Sequence, residues 1–397
     1  MTTGDVDREL LALAHALADA DHPVRRATSE WAREHLGRHD RVAADRESQF
    51  AVEDWRRCAE HGLLRVAVPA EQGGTYSDLA TVLLTLEGLG HGSYDNGLSF
   101  AMGSQVVSTQ EALVRFGSDA QCAEWLEPMM SGAAYGAFAM TEPEVGSDAY
   151  SISTTAVRRP DDTYVINGHK AYITLGPCSD VVVVFASTNR EAGPWGLTAF
   201  VVPTDLPGVE RAANREKMGM RTTPFGDLLF HDVVVPSSAI LAREGAGASI
   251  FNSIIQHERS FVFATQVGAM RRQLDAAIDY AKTREQGGQA IGRYQAVAHR
   301  LVDMRQQHDE ARLFVYRAAL AIVSGHDVPV AAALAKLVGC DTGIAAATSS
   351  VSVHGAIGYA SEFEVERDLR DAVGGLVYSG TSDVQRNIIA RLLGVGG

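Results

Sequence analysis

The spacing of apolar residues changes twice along this chain of 397 residues, and this pattern constrains the fold most strongly. Up to about residue 135 the apolar residues recur at helical spacing. One run shows this clearly: Leu79, Val82, Leu83, Leu86 and Leu89. Short apolar runs between turn residues then indicate strands, and helical spacing returns from about residue 241. The order predicts a mainly α protein with an N-terminal helical domain (1–135), a middle β-barrel-like domain (136–240) and a C-terminal four-helix bundle (241–397).

Local signals refine this prediction. In the middle region, Asn167-Gly168 separates two apolar runs and predicts a β-hairpin, because this dipeptide tolerates the positive φ angles of a two-residue turn. Residues 181–185 and 198–202 indicate further strands. Gly90 and Gly92 are expected to interrupt the N-terminal helices. The bundle is expected to contain one helix around 267–281, a second around 297–318, a third over 329–354 and a fourth from Val384.

Composition excludes some classes of partner. Thirty-five basic and forty-nine acidic residues give a net charge of −14, which disfavours binding to nucleic acid or to anionic membranes. The four cysteines are widely separated and form no Cys-x-x-Cys pair, so neither a disulfide framework nor a metal site is expected. The N-terminus lacks a basic-then-apolar signal pattern, and no uncharged apolar run reaches about 18 residues. We therefore expect a cytoplasmic protein.

Three motifs resemble those of the acyl-CoA dehydrogenase family and occur in the order found there. Residues 141–148 have the form Thr-Glu-Pro-x-x-Gly-Ser-Asp. Residues 166–174 are similar to the family's Ile-Asn-Gly-x-Lys-x-Trp-Ile-Thr segment, with Tyr172 in place of tryptophan. Residues 378–383 read Tyr-Ser-Gly-Thr-Ser-Asp, where the family has Tyr-Glu-Gly-Thr-Ser. With further matches between them, the resemblance runs from about residue 60 to 394.

The resemblance implies FAD bound between the β domain and the helical bundle, with part of its nucleotide reaching a neighbouring subunit. A homodimer or homotetramer is therefore expected. Around the flavin and its ribityl chain the resemblance places Phe138, Met140, Thr141, Ser147, Tyr172 and Thr174. At the pyrophosphate and adenosine it places Arg284, Gln295, Gly355, Thr381 and Asp383. Gly287 and Ser352 depart from the family's usual phenylalanine and glutamine, which predicts a looser or repacked nucleotide contact; Gly287 is equally consistent with a helix terminator.

The catalytic base is the most informative departure. The family's commonest base is the glutamate of the C-terminal motif, which is Ser379 here, and a serine hydroxyl cannot act as a general base near neutral pH. Glu258, followed by Arg259, stands where a minority of members, including isovaleryl- and long-chain-type enzymes, carry their base. The alternative is that Glu258 is a carboxylate at the start of a helix, where the helix dipole favours it.

Ser379 can retain a role without a carboxylate. By resemblance, its backbone N–H polarises the thioester carbonyl, and any side chain preserves that donor. The resemblance also places Phe100, Met102 and Arg259 at the substrate. The bulk of Phe100 would shorten the acyl pocket, although core packing explains this residue equally well.

These observations predict a flavoprotein oxidoreductase of fatty acid or polyketide metabolism. It would oxidise an acyl thioester, carried by coenzyme A or an acyl carrier protein, to an enoyl thioester. Glu258 would remove the α proton, hydride would pass to FAD, and electrons would leave to an electron-transfer flavoprotein or another acceptor. Two alternatives remain open: a flavin-dependent monooxygenase on the same fold, and an FAD-binding scaffold protein that has lost its base.

Overall fold

The structure, a computed structural model, describes residues 3–395. The N-terminal part is helical, as predicted. Its helices are α1 (Thr3–Ala18), α2 (Pro23–His35), α3 (Arg41–Glu47), α4 (Val52–Glu60), α5 (Leu79–Gly92), α6 (Asn96–Ser104), α7 (Glu111–Phe116) and α8 (Asp119–Met130). A π-helical segment, Gln105–Gln110, joins α6 directly to α7. The widened turn of a π-helix changes the direction of the side chains that follow, and such segments often occur at functional sites.

Gly90 does not interrupt α5, contrary to the prediction, because the helix continues through it to Gly92. A Cβ atom at Gly90 would lie 1.9 Å from the carbonyl oxygen of Thr265. The glycine is therefore required by the close approach of a neighbouring helix rather than by a turn.

The middle part of the chain forms one curled seven-stranded sheet. Its strands are β1 (Gly136–Ala139), β2 (Thr155–Arg158), β3 (Thr163–Thr174), β4 (Val181–Ser187), β5 (Leu197–Pro203), β6 (Val209–Arg211) and β7 (Phe225–Pro236). The strand order is β1-β4-β2-β3-β7-β6, and β5 also pairs with β4. The predicted strands at 181–185 and 198–202 are confirmed as β4 and β5. Alternate residues of β4 enter two separate apolar clusters, one of them shared with α8, so both faces of this strand are buried.

The predicted hairpin at Asn167-Gly168 is wrong, because β3 runs without a turn from Thr163 to Thr174. Two residues of β7 oppose one residue of β3 here, which makes a β-bulge. The positive φ lies at Asp232 in the bulge, whose N–H donates to the Asn167 side chain at 2.8 Å. The Asn-Gly pair thus marks a bulge between two strands that are distant in sequence.

The C-terminal part is helical again, with one small hairpin. It contains α9 (Gly247–Phe261), α10 (Phe263–Thr283), β8 (Glu285–Gln286), β9 (Gln289–Ala290), α11 (Gln295–Ser324), α12 (Val328–His354), α13 (Ala356–Tyr359), α14 (Val365–Val373) and α15 (Ser382–Leu392). The four predicted helices are confirmed as α10, α11, α12 and α15. Residues of α5 and α6 share a hydrophobic core with residues of α10, α11 and α12, so the two helical parts pack as one body.

Within residues 3–395, α12 alone is long and apolar enough to cross a membrane on length and composition. In its most apolar 18-residue window, 67% is buried inside the protein. This composition is also that of a core helix.

Replacing Gly168 by alanine should destabilise the sheet. A Cβ atom there would lie 2.2 Å from Thr154 Oγ1, and overpacking of this kind costs about 1–3 kcal/mol. We expect a lower thermal unfolding midpoint for Gly168→Ala at saturating FAD. Gly146→Ala is the matched control, since its Cβ would meet no atom within 4 Å. Equal midpoints for the two variants would contradict this explanation of Gly168.

Candidate active site

Glu258 and Ser379, 121 residues apart in sequence, are in direct contact. The Ser379 hydroxyl donates a hydrogen bond to Glu258 Oε1 at 2.5 Å. The Ser108 hydroxyl donates to the other carboxylate oxygen, Oε2, at 2.7 Å. The Glu258 carboxylate therefore lies beside residue 379, the position that carries the family's commonest catalytic base.

Glu258 is not at the start of a helix. It lies in the last turn of α9, whose first residue is Gly247. The helix dipole favours a carboxylate in the first turn, and Glu258 lies well beyond the first turn of α9. The helix-start alternative for Glu258 is thus wrong.

The backbone around Ser379 is held in an uncommon conformation. Ser379 has a φ of 55° and Gly380 a φ of 82°. Such angles are rare outside glycine and persist where surrounding contacts fix them. The Arg259 guanidinium donates from Nε to the Ser379 carbonyl at 2.8 Å, and Gln385 donates to the Gly380 carbonyl at 3.1 Å. Within residues 3–395 no hydrogen bond uses the Ser379 N–H.

Arg259, predicted to lie at the substrate, is buried against this segment. Burial lowers the pKa of Arg259 to about 10, and the nearby Glu258 carboxylate opposes the effect. The guanidinium therefore remains charged at neutral pH, with Nε committed to the Ser379 carbonyl. Its observed contact is with the C-terminal motif.

A small cavity lies close to the C-terminal motif. Its lining comes from α6, α10, the loop before β7 and the residue preceding Ser379: Asn96, Ser99, Phe100, Met220, Thr265, Gln266, Ala269 and Tyr378. The rings of Phe100 and Tyr378 have centroids 4.7 Å apart, which narrows the space. Met102, the other residue expected in the acyl pocket, is buried in the shared helical core and is outside this lining.

The Thr141–Asp148 motif is anchored to the sheet by a buried ion pair. Lys170 Nζ donates to Glu142 Oε1 at 3.0 Å and to the Met140 carbonyl at 2.9 Å. The Glu142 carboxylate also accepts four hydrogen bonds from the backbone and hydroxyl groups of Ser153 and Thr154. Burial would raise the pKa of Glu142, but Lys170 and these donors outweigh it and lower the value to about 2. Burial lowers the pKa of Lys170 to about 8, so both groups are ionised at neutral pH.

Tyr172 projects from the sheet at a second bulge. Ala171 and Tyr172 of β3 lie opposite Asp227 of β7, and Tyr172 has a φ of 62°. The residue is 48% exposed, and the Arg215 guanidinium lies 4.8 Å from the centroid of its ring. Bulges re-aim side chains, and this one directs an aromatic ring outward near the end of β3.

The other residues predicted around the flavin lie near these two features. Phe138 of β1 is half-buried, and its ring centroid lies 6.4 Å from that of Phe251 on α9. The hydroxyls of Thr141, Ser147 and Thr174 make no hydrogen bond to another residue within 3–395, which leaves them available to a ligand.

The residues predicted to bind the nucleotide fall into two groups. Arg284 follows α10, Gln295 begins α11 and Gly355 follows α12. The ends of α10 and α12 are in contact there, because the ring centroids of Tyr280 and His354 lie 4.6 Å apart. Thr381 and Asp383 lie instead at the start of α15, where Lys336 of α12 donates to Ser382 at 2.9 Å. Lys336 precedes Gly355 by 19 residues, or about 28 Å of helix. One chain therefore does not bring the two groups together.

Gly287 does not terminate a helix. With Gly288 it forms the two-residue turn between β8 and β9, with φ angles of 60° and 81°. The helix α10 has already ended at Thr283.

Lys170→Met should be strongly destabilising, because it leaves the Glu142 carboxylate buried without a cation. Breaking such a pair costs about 3–5 kcal/mol. We expect a large fall in the thermal unfolding midpoint, with no comparable fall for the exposed control Lys282→Met. Adding Glu142→Gln to Lys170→Met should recover part of the loss, and a double variant no more stable than Lys170→Met would contradict the ion-pair explanation.

Sequence comparisons identify three consecutive matches. Profiles of the acyl-CoA dehydrogenase N-terminal, middle and C-terminal domains match residues 19–133, 137–233 and 245–394. The chain is 34% identical over 344 residues to an L-prolyl-peptidyl-carrier-protein dehydrogenase of Pseudomonas fluorescens, covering 87% of this chain and 90% of the relative. It is 32% identical over 381 residues to the short-chain specific acyl-CoA dehydrogenase of Megasphaera elsdenii, covering 96% of each.

The fold agrees with solved structures. The prolyl acyl carrier protein oxidase AnaB superposes with a TM-score of 0.91 at 36% identity, covering 94% of this chain and 98% of that one. PigA with FAD and proline superposes with a TM-score of 0.89 at 31% identity, covering 94% and 97%. The chain therefore belongs to the acyl-CoA dehydrogenase family of flavoprotein oxidoreductases.

Proposed function

We propose that this protein is an FAD-dependent dehydrogenase of an acyl thioester and that Glu258 is its catalytic base. The observation that carries the proposal is the 2.5 Å hydrogen bond between Ser379 and Glu258. It brings the carboxylate of α9 to the C-terminal motif, from which the family's commonest base extends. A carboxylate carried by residue 258 or by residue 379 can then reach the same substrate carbon.

Glu258 and Ser379 have separate roles in the proposed reaction. Glu258 accepts the proton from the α carbon of the acyl group on a carboxylate oxygen, a step in which a positioned base contributes about 10²–10⁴-fold. The uncommitted Ser379 N–H donates to the thioester carbonyl and stabilises the negative charge that develops there. When bound, FAD supplies the hydride acceptor for the β carbon.

The exposed features of the sheet suit an isoalloxazine ring and its ribityl chain. Tyr172 offers an accessible aromatic face, and the hydroxyls of Thr141, Ser147 and Thr174 are free to donate or accept hydrogen bonds. The buried Lys170–Glu142 pair fixes the loop that carries Thr141, so these groups need little reorganisation on binding. We assign FAD to this face.

The narrow cavity favours a compact acyl group. The Phe100 and Tyr378 rings lie 4.7 Å apart in its lining, and the side chains of Asn96, Ser99 and Thr265 are already hydrogen-bonded within the protein. A short, branched or cyclic acyl chain is therefore a better fit than a long aliphatic one. The prolyl-carrier relatives make a prolyl thioester a necessary member of any substrate screen, presented on coenzyme A and on a carrier protein.

The nucleotide site requires a second copy of the chain. Arg284 and Gln295 are exposed, and Thr381 and Asp383 lie far from them along α12. Exposed apolar side chains surround the C-terminal region, including Tyr359 (82% exposed), Val377 and Leu393. Such a surface fits an interface between copies, in which Arg284 of one copy would meet Thr381 of another.

Glu258→Gln should retain FAD but reduce it far more slowly. The amide keeps the shape of the side chain and loses the proton acceptor, so flavin reduction should fall by at least about 10²-fold. Anaerobic stopped-flow bleaching with short, branched and prolyl thioesters measures this, and product masses identify the reaction. Glu285→Gln, an exposed glutamate on β8, is the matched control. Flavin reduction by Glu258→Gln at the wild-type rate would contradict the proposal.

The same screen separates the alternatives. A wild-type protein that no thioester bleaches, but that oxygenates a substrate when supplied with reduced flavin, would be a monooxygenase. A protein that binds FAD and supports neither reaction would favour a scaffold.

A further inference from the structure

The Ser108 hydroxyl lies within the proposed active site, although no motif points to it. It donates to Glu258 Oε2 at 2.7 Å, while Ser379 donates to Oε1. We propose that Ser108 is a positioning residue for the base and that it works with the Ser379 hydroxyl to fix the plane of the Glu258 carboxylate. The inference deepens the proposed function and rests on Glu258 being the base.

The π-helical segment places Ser108 at this point. All six residues from Gln105 to Gln110 are buried, and the glutamines at its two ends hold it in place. Gln105 Oε1 accepts from the Gly136 N–H of β1 at 2.7 Å, and Gln110 donates to the Leu64 carbonyl at 2.9 Å. The segment is thus fastened both to the sheet and to the N-terminal helices. Ser108 consequently reaches the carboxylate from a rigid element, as a precise positioning contact requires.

Among the described residues, the other charged and titratable groups near Glu258 make no hydrogen bond to its carboxylate. Arg259, on the same helix as Glu258, commits its Nε to the Ser379 carbonyl. Tyr378 adjoins Ser379, and burial raises the pKa of its phenol, so it is neutral. Tyr150, on the loop before β2, interacts with Arg259 and donates to Asn252 at 2.7 Å. From α12, which packs against α9, Lys336 donates to the Ser382 hydroxyl at 2.9 Å, and Cys340 lies near Tyr378. The π-helical segment contributes the neutral hydroxyl of Ser108. The two serine hydroxyls therefore provide the direct hydrogen bonds to the carboxylate among the described residues.

Two consequences follow from losing the Ser108 hydroxyl. The carboxylate gains freedom to rotate, so fewer bound complexes hold an oxygen in line with the α hydrogen. The ionised form also loses a donated hydrogen bond, which favours its protonated form. The rate should fall, and the acid limb of its pH profile should move to higher pH.

The test measures anaerobic flavin reduction against pH with the best thioester from the screen. Ser108→Ala should lower the limiting rate by about tenfold or more, the effect of losing a hydrogen bond to a charged group. The acid limb should move to higher pH, with thioester affinity changed less than the rate. Ser108→Thr, which restores a hydroxyl, should recover most of both effects. Ser104→Ala is the matched control, because Ser104 makes no hydrogen bond to Glu258 within the described residues.

Two results would overturn the inference: a Ser108→Ala enzyme with the wild-type rate and pH profile, or a Ser108→Thr enzyme as impaired as Ser108→Ala with the acid limb unmoved in both. If Ser108→Ala does not retain FAD, Ser108→Cys decides the matter, since the thiol is close to the hydroxyl in size but donates only a weak hydrogen bond, and it should move the same limb in the same direction. Glu258→Gln in the same assay separates the two claims. If Glu258→Gln reduces its flavin at the wild-type rate, both the proposed function and this inference are wrong. If Glu258→Gln reduces its flavin slowly while Ser108→Ala keeps the wild-type rate and pH profile, only this inference is wrong.

Discussion

The hydrogen bond between Ser379 and Glu258 joins the parts of the structure that matter for chemistry. It connects α9 to the C-terminal motif, and Arg259 adds a second connection through the Ser379 carbonyl. Ser108 brings in a third segment, from the N-terminal helices. Three stretches of chain that are far apart in sequence thus meet at one carboxylate. A base supported in this way is held in place by tertiary structure and not by its own helix alone.

The rest of the fold fixes the positions of these three segments relative to one another. The N-terminal helices and the bundle share one hydrophobic core, so the π-helical segment cannot shift relative to α9 without disturbing that core. On the other side, the Lys170–Glu142 pair fastens the loop after β1 to β3. Buried pairs of this kind contribute little net stability, because desolvation offsets their attraction. Their value here is geometric, since the pair fixes where the polar loop and the projecting Tyr172 lie relative to each other.

Much of this arrangement could be predicted from the sequence. Apolar periodicity predicted the order of helical and β regions and the positions of α10, α11, α12 and α15, because these elements bury regular apolar faces. The resemblance predicted the family, and it singled out Glu258 and Ser379 as a pair. Their contact is a property of the folded chain, and the assigned roles of the individual site residues stay predictions.

Features that depend on distant partners could not be predicted. Asn167-Gly168 suggested a turn, but the bulge arises from Asp232 on another strand, and Gly168 is required by the nearness of Thr154. Gly90 is explained by Thr265 on a packed helix. Ser108 was missed because its partner lies 150 residues away and a π turn directs it there. The available signal was slight: a serine after two valines in a buried segment.

The central claim is that a carboxylate at either position reaches the same substrate hydrogen. Moving the carboxylate tests this claim most directly, by comparing Glu258→Gln with the double variant Glu258→Gln/Ser379→Glu in anaerobic flavin reduction. Because the two side chains lie within hydrogen-bond distance, the account predicts that the double variant recovers at least about tenfold of the lost rate, a fraction of what a positioned base contributes. A double variant that keeps FAD and binds the thioester, yet reduces no faster than Glu258→Gln, would contradict it.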